Sequence, residues 1–527
     1  MKCSIPLCFC FVLCANPLFG TDPIVIGSRR EPFIDDYLVE RLEGGATFDI
    51  KQLVPREVVL VHDDRGQTED GRLSRPWEGN TCGYHSVFQD GDHFKMYYRA
   101  SDWTKRRGYQ THEVACMATS RDGIHWERPI LRLYAFEYNR GRFKGDTEKT
   151  ADMEDPKENN IVWPHSLEAA SWISFKDPNP NCLADERYKT VGGMDKVGMM
   201  GLTSPDGIHW SRIEKSLIPD DVSSDWNFTL FWWPKTQRYH SILRYWQGGD
   251  GSHRVHHGYR SLRWMGGDSF TQWDPYEAVI YDTDNQLMKD LLVEPDEHCQ
   301  LYTGNVMPYV GAPHLLIGFP MRFTPTRKKE PSHPYPGLTD IGLLTSRDGK
   351  RFQLWGDSIS RPRPYSTHEG DWTQRTRNPT VGMIQTSPEE ISIYWNENTF
   401  SHFPEVKKGA AGCQVRRATI RTDGFVSIRM PFSGGGFTTK PFRFDGKRLQ
   451  LNYETSVVGE IKIEIQNADG RPIPGYTLED ARDLFGNSVA EVCQWKGGED
   501  LSKLSGMPIR LRMVGRDADV YSIQFTD

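Results

Sequence analysis

Beyond its N-terminal residues the 527-residue chain has no apolar run long enough to cross a bilayer, so insertion in a membrane is not expected. It also lacks any long basic tract, and its formal net charge is −7, which sets nucleic-acid partners aside. No Walker loop, dinucleotide-binding fingerprint or nucleophile-elbow serine stands out, so nucleotide and serine-hydrolase chemistry are disfavoured. Nor is there a Cys-x-x-Cys pair among the 10 cysteines. Cys3, Cys8, Cys10 and Cys14 lie in the N-terminal segment, and Cys82, Cys116, Cys182, Cys299, Cys413 and Cys493 are scattered, which indicates neither a structural zinc site nor a redox motif. Most of these six are expected as small buried apolar residues.

Residues 1–20 carry one lysine and then an apolar stretch too short for a membrane span, the pattern of a cleaved secretory signal peptide. The mature protein is therefore expected to be exported, to the periplasm or beyond the cell. What the chain does have is aromatics and turn formers: 16 Trp, 21 Tyr and 25 Phe beside 48 Gly and 33 Pro, a balance that favours strands over helices.

One short phrase recurs, as Ser120-Arg121-Asp122-Gly123-Ile124-His125-Trp126, Ser204-Pro205-Asp206-Gly207-Ile208-His209-Trp210 and Ser346-Arg347-Asp348-Gly349-Lys350-Arg351-Phe352. Asp-Gly supplies the positive-φ position of a tight hairpin, the serine bonds back to the turn, and the aromatic residue packs between sheets. Asp122, Asp206 and Asp348 are thus read as turn residues. The gap between the second and third copies is about two repeat lengths, which predicts a degenerate copy around Tyr259-Arg260-Ser261 with Phe270 and Trp273. A fifth lies at Arg421-Thr422-Asp423-Gly424-Phe425. The reading is an all-β chain: an N-terminal lead-in over 21–75, a five-bladed β-propeller over 76–430, and a C-terminal β-sandwich over 431–527. The sandwich rests on alternating apolar positions such as Leu449/Leu451/Tyr453, Ile461/Ile463/Ile465 and Tyr521/Ile523/Phe525, beyond a Ser433-Gly434-Gly435-Gly436 spacer.

With Pro76-Trp77-Glu78-Gly79 opening the first blade, Glu158-Asn159-Asn160-Ile161 the second, the repeated hairpins and the trailing sandwich, the chain resembles the five-bladed propeller glycoside hydrolases of the arabinanase, levansucrase and invertase group. That resemblance implies carboxylates on the innermost strands, gathered around an axial funnel as base or nucleophile, acid, and orienting neighbour. Glycoside cleavage needs two carboxyl groups about 5–5.5 Å apart for retention or about 6.5–9.5 Å for inversion. Acidic residues at the predicted inner-strand starts are Glu78, Glu158, Asp225, Glu297 and Asp371. Glu78, beside a tryptophan and before a glycine, is expected as base or nucleophile, and Asp225 and Glu297 as acid and modulator. Blade one offers Glu where the group's usual pattern has Asp, which leaves the roles open.

Substrate contacts are expected from Trp77, His85, Asn159, Asn160, Tyr302, Asp371 and Arg375. The resemblance implies a carbohydrate substrate, and segments 252–264 and 361–377, rich in Arg and His, suit an anionic glycan carrying sulfate or uronate. The residues call for no cofactor and form no metal site; a divalent cation on the axis is implied by the resemblance alone. Competing readings are a glycoside phosphorylase using Arg375 and Arg377, and a non-catalytic carbohydrate-binding propeller.

Overall fold

The computed structural model describes residues 22–104, 109–136, 153–194, 198–218, 228–247, 259–282, 300–327, 337–360, 377–399 and 412–527. Among the described residues strands dominate, arranged in six sheets. The α-helix among the described residues is a single turn, Ser166–Ala169, and no helix there is long and apolar enough to cross a membrane.

Five sheets follow one another along the chain in the manner of a β-propeller. The first runs from Gly83–Asp90 through His93–Thr104 and Tyr109–Ser120 to Trp126–Glu127, with Ile161–Trp163 added beside its third strand. The second is Ile173–Lys176, Tyr188–Met194, Gly198–Ser204 and Ser211–Ile218. The third is Phe228–Trp233, Arg238–Gln247, Tyr259–Gly267 and Glu277–Ala278. In the fourth, broken strands from Gln300–Thr303 to Met321–Thr324 lead to Leu338–Ser346 and Arg351–Ser360, with Ile280–Asp282 added in parallel.

The fifth sheet departs from the expected set of equivalent blades. Four sheets are continuous blades, whereas this one joins Asn378–Pro379, Ile384–Ser387, Glu390–Glu397 and Gln414–Arg421 to Val54–Val61 from far upstream. Its outermost strand is borrowed from the N-terminal region, which ties that region to the last sheet at the point where the ring closes.

Inner strands touch all the way round. Those of the first and second, second and third, and third and fourth sheets pack side by side. Asn305 Nδ2 of the fourth sheet's inner segment donates to Pro379 O of the fifth (2.5 Å). At the closing junction Val87 N–H donates to Val381 O and Val381 N–H to His85 O, both at 2.8 Å. Only glycine fits beside that junction: at Gly382, with φ +99°, an added Cβ would lie 2.1 Å from Val87 O.

The recurring hairpins hold the sheets to one another. In the first copy Ser120 Oγ accepts from Gly123 N–H (2.9 Å), Asp122 Oδ1 accepts from Ile124 and His125 N–H (both 2.8 Å), and Trp126 Nε1 donates to Gly123 O (3.1 Å). The second copy repeats all four contacts around Ser204, Asp206, Gly207 and Trp210. In the degenerate copy Trp273 Nε1 donates to Phe270 O (3.1 Å).

A tyrosine from the neighbouring sheet meets several of these turns. Tyr97 OH donates to Gly207 O (2.7 Å) and its ring stands edge-on to Trp210 (5.9 Å, 88°). Tyr394 OH donates to Gly123 O (2.5 Å), edge-on to Trp126 (5.8 Å, 89°). Tyr309 OH donates to Asp423 Oδ1 (2.7 Å), edge-on to Phe425 (5.4 Å, 89°). Each contact combines a buried hydrogen bond with T-shaped aromatic packing.

The sixth sheet has ten strands and draws on both ends of the chain. Ile24–Gly27, Glu31–Pro32, Val39–Glu43 and Thr47–Ile50 join Val426–Met430 and the strands that follow, up to Ile509–Thr526. The glycine-rich spacer lies within it, since Gly435–Thr439 is a strand. Long strands Arg448–Asn467 and Ile509–Thr526 pair along most of their length and shift register at Asn452/Tyr453 and Thr455/Glu460, so the sheet bends around one apolar core in the manner of a sandwich. Phe437, Leu451, Ile463, Leu511 and Phe525 are wholly buried or nearly so in that core.

This sheet docks on the ring through charge. Arg347, in the third hairpin, donates to Glu31 Oε2 (2.9 Å) and to both oxygens of Asp35 (2.7 and 3.1 Å). Burial works to raise the pKa of Glu31, but the His314 and Arg29 contacts and the charges of Arg347 and His314 outweigh it and bring it down to about 2. Cys82, Cys116, Cys413 and Cys493 are buried free thiols, as expected, and Cys182 is half-buried; Cys299 lies outside the described residues.

Replacing Tyr97 or Tyr394 with Phe removes one of the two donors to a buried glycine carbonyl, leaving the tryptophan Nε1 bond, and is expected to lower stability by about 0.5–1.5 kcal/mol. Chemical denaturation checks this, and unchanged midpoints would contradict it. Because Glu31 binds its proton less tightly when folded, its contribution is complete above about pH 4.5 and is lost as pH falls toward 2. Melting temperature against pH should therefore fall less steeply over that window in Glu31→Gln than in the wild type.

Candidate active site at the propeller axis

A small pocket sits where the inner strands converge. Tyr84 and His85 of the first sheet, Ile173 of the second, Phe228 of the third, Asn305 of the fourth, and Asn378, Pro379 and Val381 of the fifth line it. Two lining residues hold left-handed backbone although neither is glycine: Tyr84 at φ 53° and Asn305 at φ 46°. Pairing of the first sheet's inner strand shifts register between Gly83 and Ser86, which turns Tyr84 out of the regular ladder. Backbone held in this sparsely populated region is concentrated at binding and catalytic sites. The Arg99 guanidinium lies 4.6 Å from the centre of the Tyr84 ring and donates to Thr81 O (2.8 Å), holding the wall in place.

Glu78 does not face this pocket as an open base. Its side chain is wholly buried and receives Arg75 Nε (2.8 Å), Arg128 Nε and Nη2 (2.8 and 3.0 Å) and Tyr98 OH (2.5 Å), with His62 Nδ1 at 3.3 Å. Burial alone would raise its pKa; the charges of Arg128 and Arg75 hold it well below the usual carboxylate range. The expected role of base or nucleophile is therefore corrected: Glu78 is the ionised anchor of a buried network, and its oxygens are taken up by protein donors.

Its neighbours in the expected substrate set are likewise internal ties. Trp77 is buried, and its Nε1 donates to Asn160 Oδ1 (2.7 Å) instead of offering a sugar platform. Asn160 Nδ2 donates to Tyr98 OH (2.8 Å) and Met117 O (2.6 Å). Asn159 Nδ2 donates to Tyr134 O (2.9 Å) and Pro156 O (2.8 Å), closing a loop. Glu158 is exposed, 3.9 Å from Arg132. His85 does line the pocket. Tyr302 is half-buried with the guanidinium groups of Arg244 and Arg260 each 4.7 Å from its ring centre. Asp225, Glu297, Asp371 and Arg375 lie outside the described residues.

Sequence reasoning missed several residues. Tyr84 and Asn305 carry no periodic signal, although asparagine is the commonest non-glycine residue with aspartate and histidine at positive φ. Arg128, Tyr98 and His62 reach Glu78 from segments remote in sequence, so no local motif marks them. A carboxylate pair also went unread. Arg65 Nη2 bridges Asp63 Oδ2 and Asp102 Oδ1 at 2.9 Å each. Burial first, and then the Asp63 charge, raise the Asp102 pKa in spite of Arg65. Among the described residues no group of three or more His, Cys, Asp or Glu side chains is arranged to hold a metal ion.

No protein-family model and no curated protein sequence matches the chain. Solved structures similar to it include a member of the GH130 family of mannoside phosphorylases, which contains glycoside hydrolases that target β-1,2 mannosidic linkages in Candida mannan. That match has 13% identity over 70% of this chain and 94% of the other, at a TM-score of 0.41. A family 43 arabinoxylan arabinofuranohydrolase from Bacillus subtilis, in complex with cellotetraose, is similar at 12% identity over 85% and 96% of the two chains, with a TM-score of 0.39. A third is a glycosyl hydrolase from Bacteroides ovatus, at 12% identity, 73% and 96% coverage and a TM-score of 0.37. Likeness at these scores carries no argument about chemistry, and the fold rests on the sheet topology above.

Glu78→Gln leaves the half-buried Arg75 and Arg128 beside a neutral partner and is expected to cost about 1.5–3 kcal/mol of stability. Denaturant titration checks it: a variant as stable as the wild type would contradict the anchor role.

Proposed function

We propose that this protein is an exported glycoside hydrolase that takes a sugar residue at the propeller axis and cleaves its glycosidic bond with carboxylates at the starts of inner strands. The observation that carries the reading is the axial pocket, to which all five inner regions contribute. Ile173, Phe228, Pro379 and Val381 give it apolar walls, and His85, Asn305 and Asn378 give it polar groups; with room for about one water molecule it forms the floor of the proposed site and meets the edge of a sugar without enclosing the ring.

With Glu78 committed elsewhere, Asp225 and Glu297 are the proposed pair. Asp225 precedes the pocket residue Phe228 by three positions, and Glu297 precedes the fourth sheet's inner strand at Gln300 by three. One acts as the acid that protonates the leaving oxygen and the other as base or nucleophile, their mutual repulsion driving the two pKa values apart. Asp371 and Arg375 are proposed as further substrate contacts. An anionic glycan, sulfated or uronic, is the proposed substrate class, on the Arg- and His-rich composition of segments 252–264 and 361–377.

Asp225→Asn and Glu297→Gln are each expected to reduce hydrolysis by about 10²–10⁴-fold while glycan binding, read by calorimetry, persists. Screening neutral, uronic and sulfated glycans identifies the substrate for that assay. Full activity in both variants would remove the proposed pair.

A further inference from the structure

The buried network behind the pocket contains more than an anchor. His62 is wholly buried, from the segment just after Val54–Val61, and its Nε2 lies 3.0 Å from Nε2 of His85. His62 Nδ1 in turn stands 3.3 Å from Glu78 Oε1. Tyr98 packs against both imidazoles, 4.7 Å from the His62 ring and 5.3 Å from the His85 ring, the latter stacked at 20°. Three segments of chain, from the fifth sheet's borrowed strand, the turn before the first sheet and the first inner strand, thus meet in one line that ends in the axial pocket.

Proton positions along this line follow from elementary chemistry. An ionised carboxylate can only accept, and although the 3.3 Å contact is off hydrogen-bonding geometry, the negative charge there favours the His62 tautomer with its hydrogen on the facing Nδ1. Burial keeps His62 neutral, as do Arg128 and Arg75, against the opposing pull of Glu78. Its Nε2 is then a lone pair. Across the 3.0 Å contact His85 Nε2 must therefore be the donor. Burial, followed by His62, Arg99 and Arg128, also holds His85 neutral, again against Glu78. That leaves the lone pair of His85 on Nδ1, an atom with no hydrogen-bond partner among the described residues.

We propose that Glu78 and His62 lock His85 in its Nε2–H tautomer, so that His85 offers the axial pocket a fixed acceptor, Nδ1, for a hydroxyl of the bound sugar. His85 is a substrate-contact residue in this scheme, and His62 and Glu78 are positioning residues that act through it. The orienting logic is that of an acid residue fixing an imidazole tautomer in a triad, extended by one ring. The sugar part rests on the glycosidase reading; the tautomer does not.

The test is long-range proton–nitrogen NMR on the full chain labelled with ¹⁵N-histidine, with His85 and His62 assigned by single substitution. Expected are His85 protonated on Nε2 alone and His62 on Nδ1 alone, both unchanged from about pH 8 to about pH 5, where an ordinary histidine titrates. His85 protonated on Nδ1, or titrating in that window, overturns the proposal whatever the enzyme cleaves. His62→Leu removes the acceptor without burying a charge and should leave His85 as a mixture of tautomers; a wild-type pattern there overturns the relay.

For the ligand role, arabinose, xylose, galactose and galacturonate are added at high concentration. At least one should shift the His85 Nδ1 signal and leave the buried His240 unmoved, and no shift with any of them overturns the acceptor role. A locked tautomer in a protein that hydrolyses no glycan would remove the glycosidase reading and leave the relay standing.

Discussion

Closure of the ring is the constraint from which the rest follows. Sheets arranged about an axis have no natural end, and an unclosed set would leave two bare edges. Here the last sheet borrows Val54–Val61, and the inner strands of the first and fifth sheets exchange backbone hydrogen bonds between His85, Val87 and Val381. Farther out, the hydroxyls of Tyr97 and Tyr394 reach across sheet boundaries to the carbonyls of Asp-Gly turns. A turn motif that looks purely local is thus also a docking point for the adjacent sheet, which explains why its serine, aspartate, glycine and aromatic residue recur together.

The closing seam is also where charge is buried. Glu78, Arg75, Arg128, Tyr98 and His62 converge there, and Glu78 is held ionised because two guanidinium groups outweigh its loss of hydration. Such a cluster is costly to assemble and costly to break, so it suits a junction that must form in one way only. Its far end is His85, one of the polar groups in the axial pocket. Stability of the seam and orientation of a binding group are in this sense one property.

The hairpin phrase made the architecture legible, because a turn that needs positive φ and a packing aromatic has few alternatives. Period-two alternation in 448–467 and 509–526 made the second β unit legible for the same reason. The borrowing of strands from the N-terminal region was harder to read, since 24–61 alternates no more clearly than many loops and its partners lie some hundreds of residues away. The site was the least legible part. A carboxylate beside a tryptophan at a strand start reads the same whether it opens to a funnel or turns inward, and the residues that decide the matter for Glu78, namely Arg128, Tyr98 and His62, come from three other segments. Tyr84 and Asn305 owe their place to backbone conformation, which a residue pattern does not encode.

The central claim is that the sugar binds at the axis, where the inner strands meet. The most direct measurement is a crystal structure of the Asp225→Asn variant soaked with an oligosaccharide that the wild type hydrolyses. The account predicts a sugar ring against Phe228 and Ile173 with a hydroxyl on His85 Nδ1. Sugar bound only at the outer edges of the sheets or on the ten-stranded unit, with the axis bare, would contradict it.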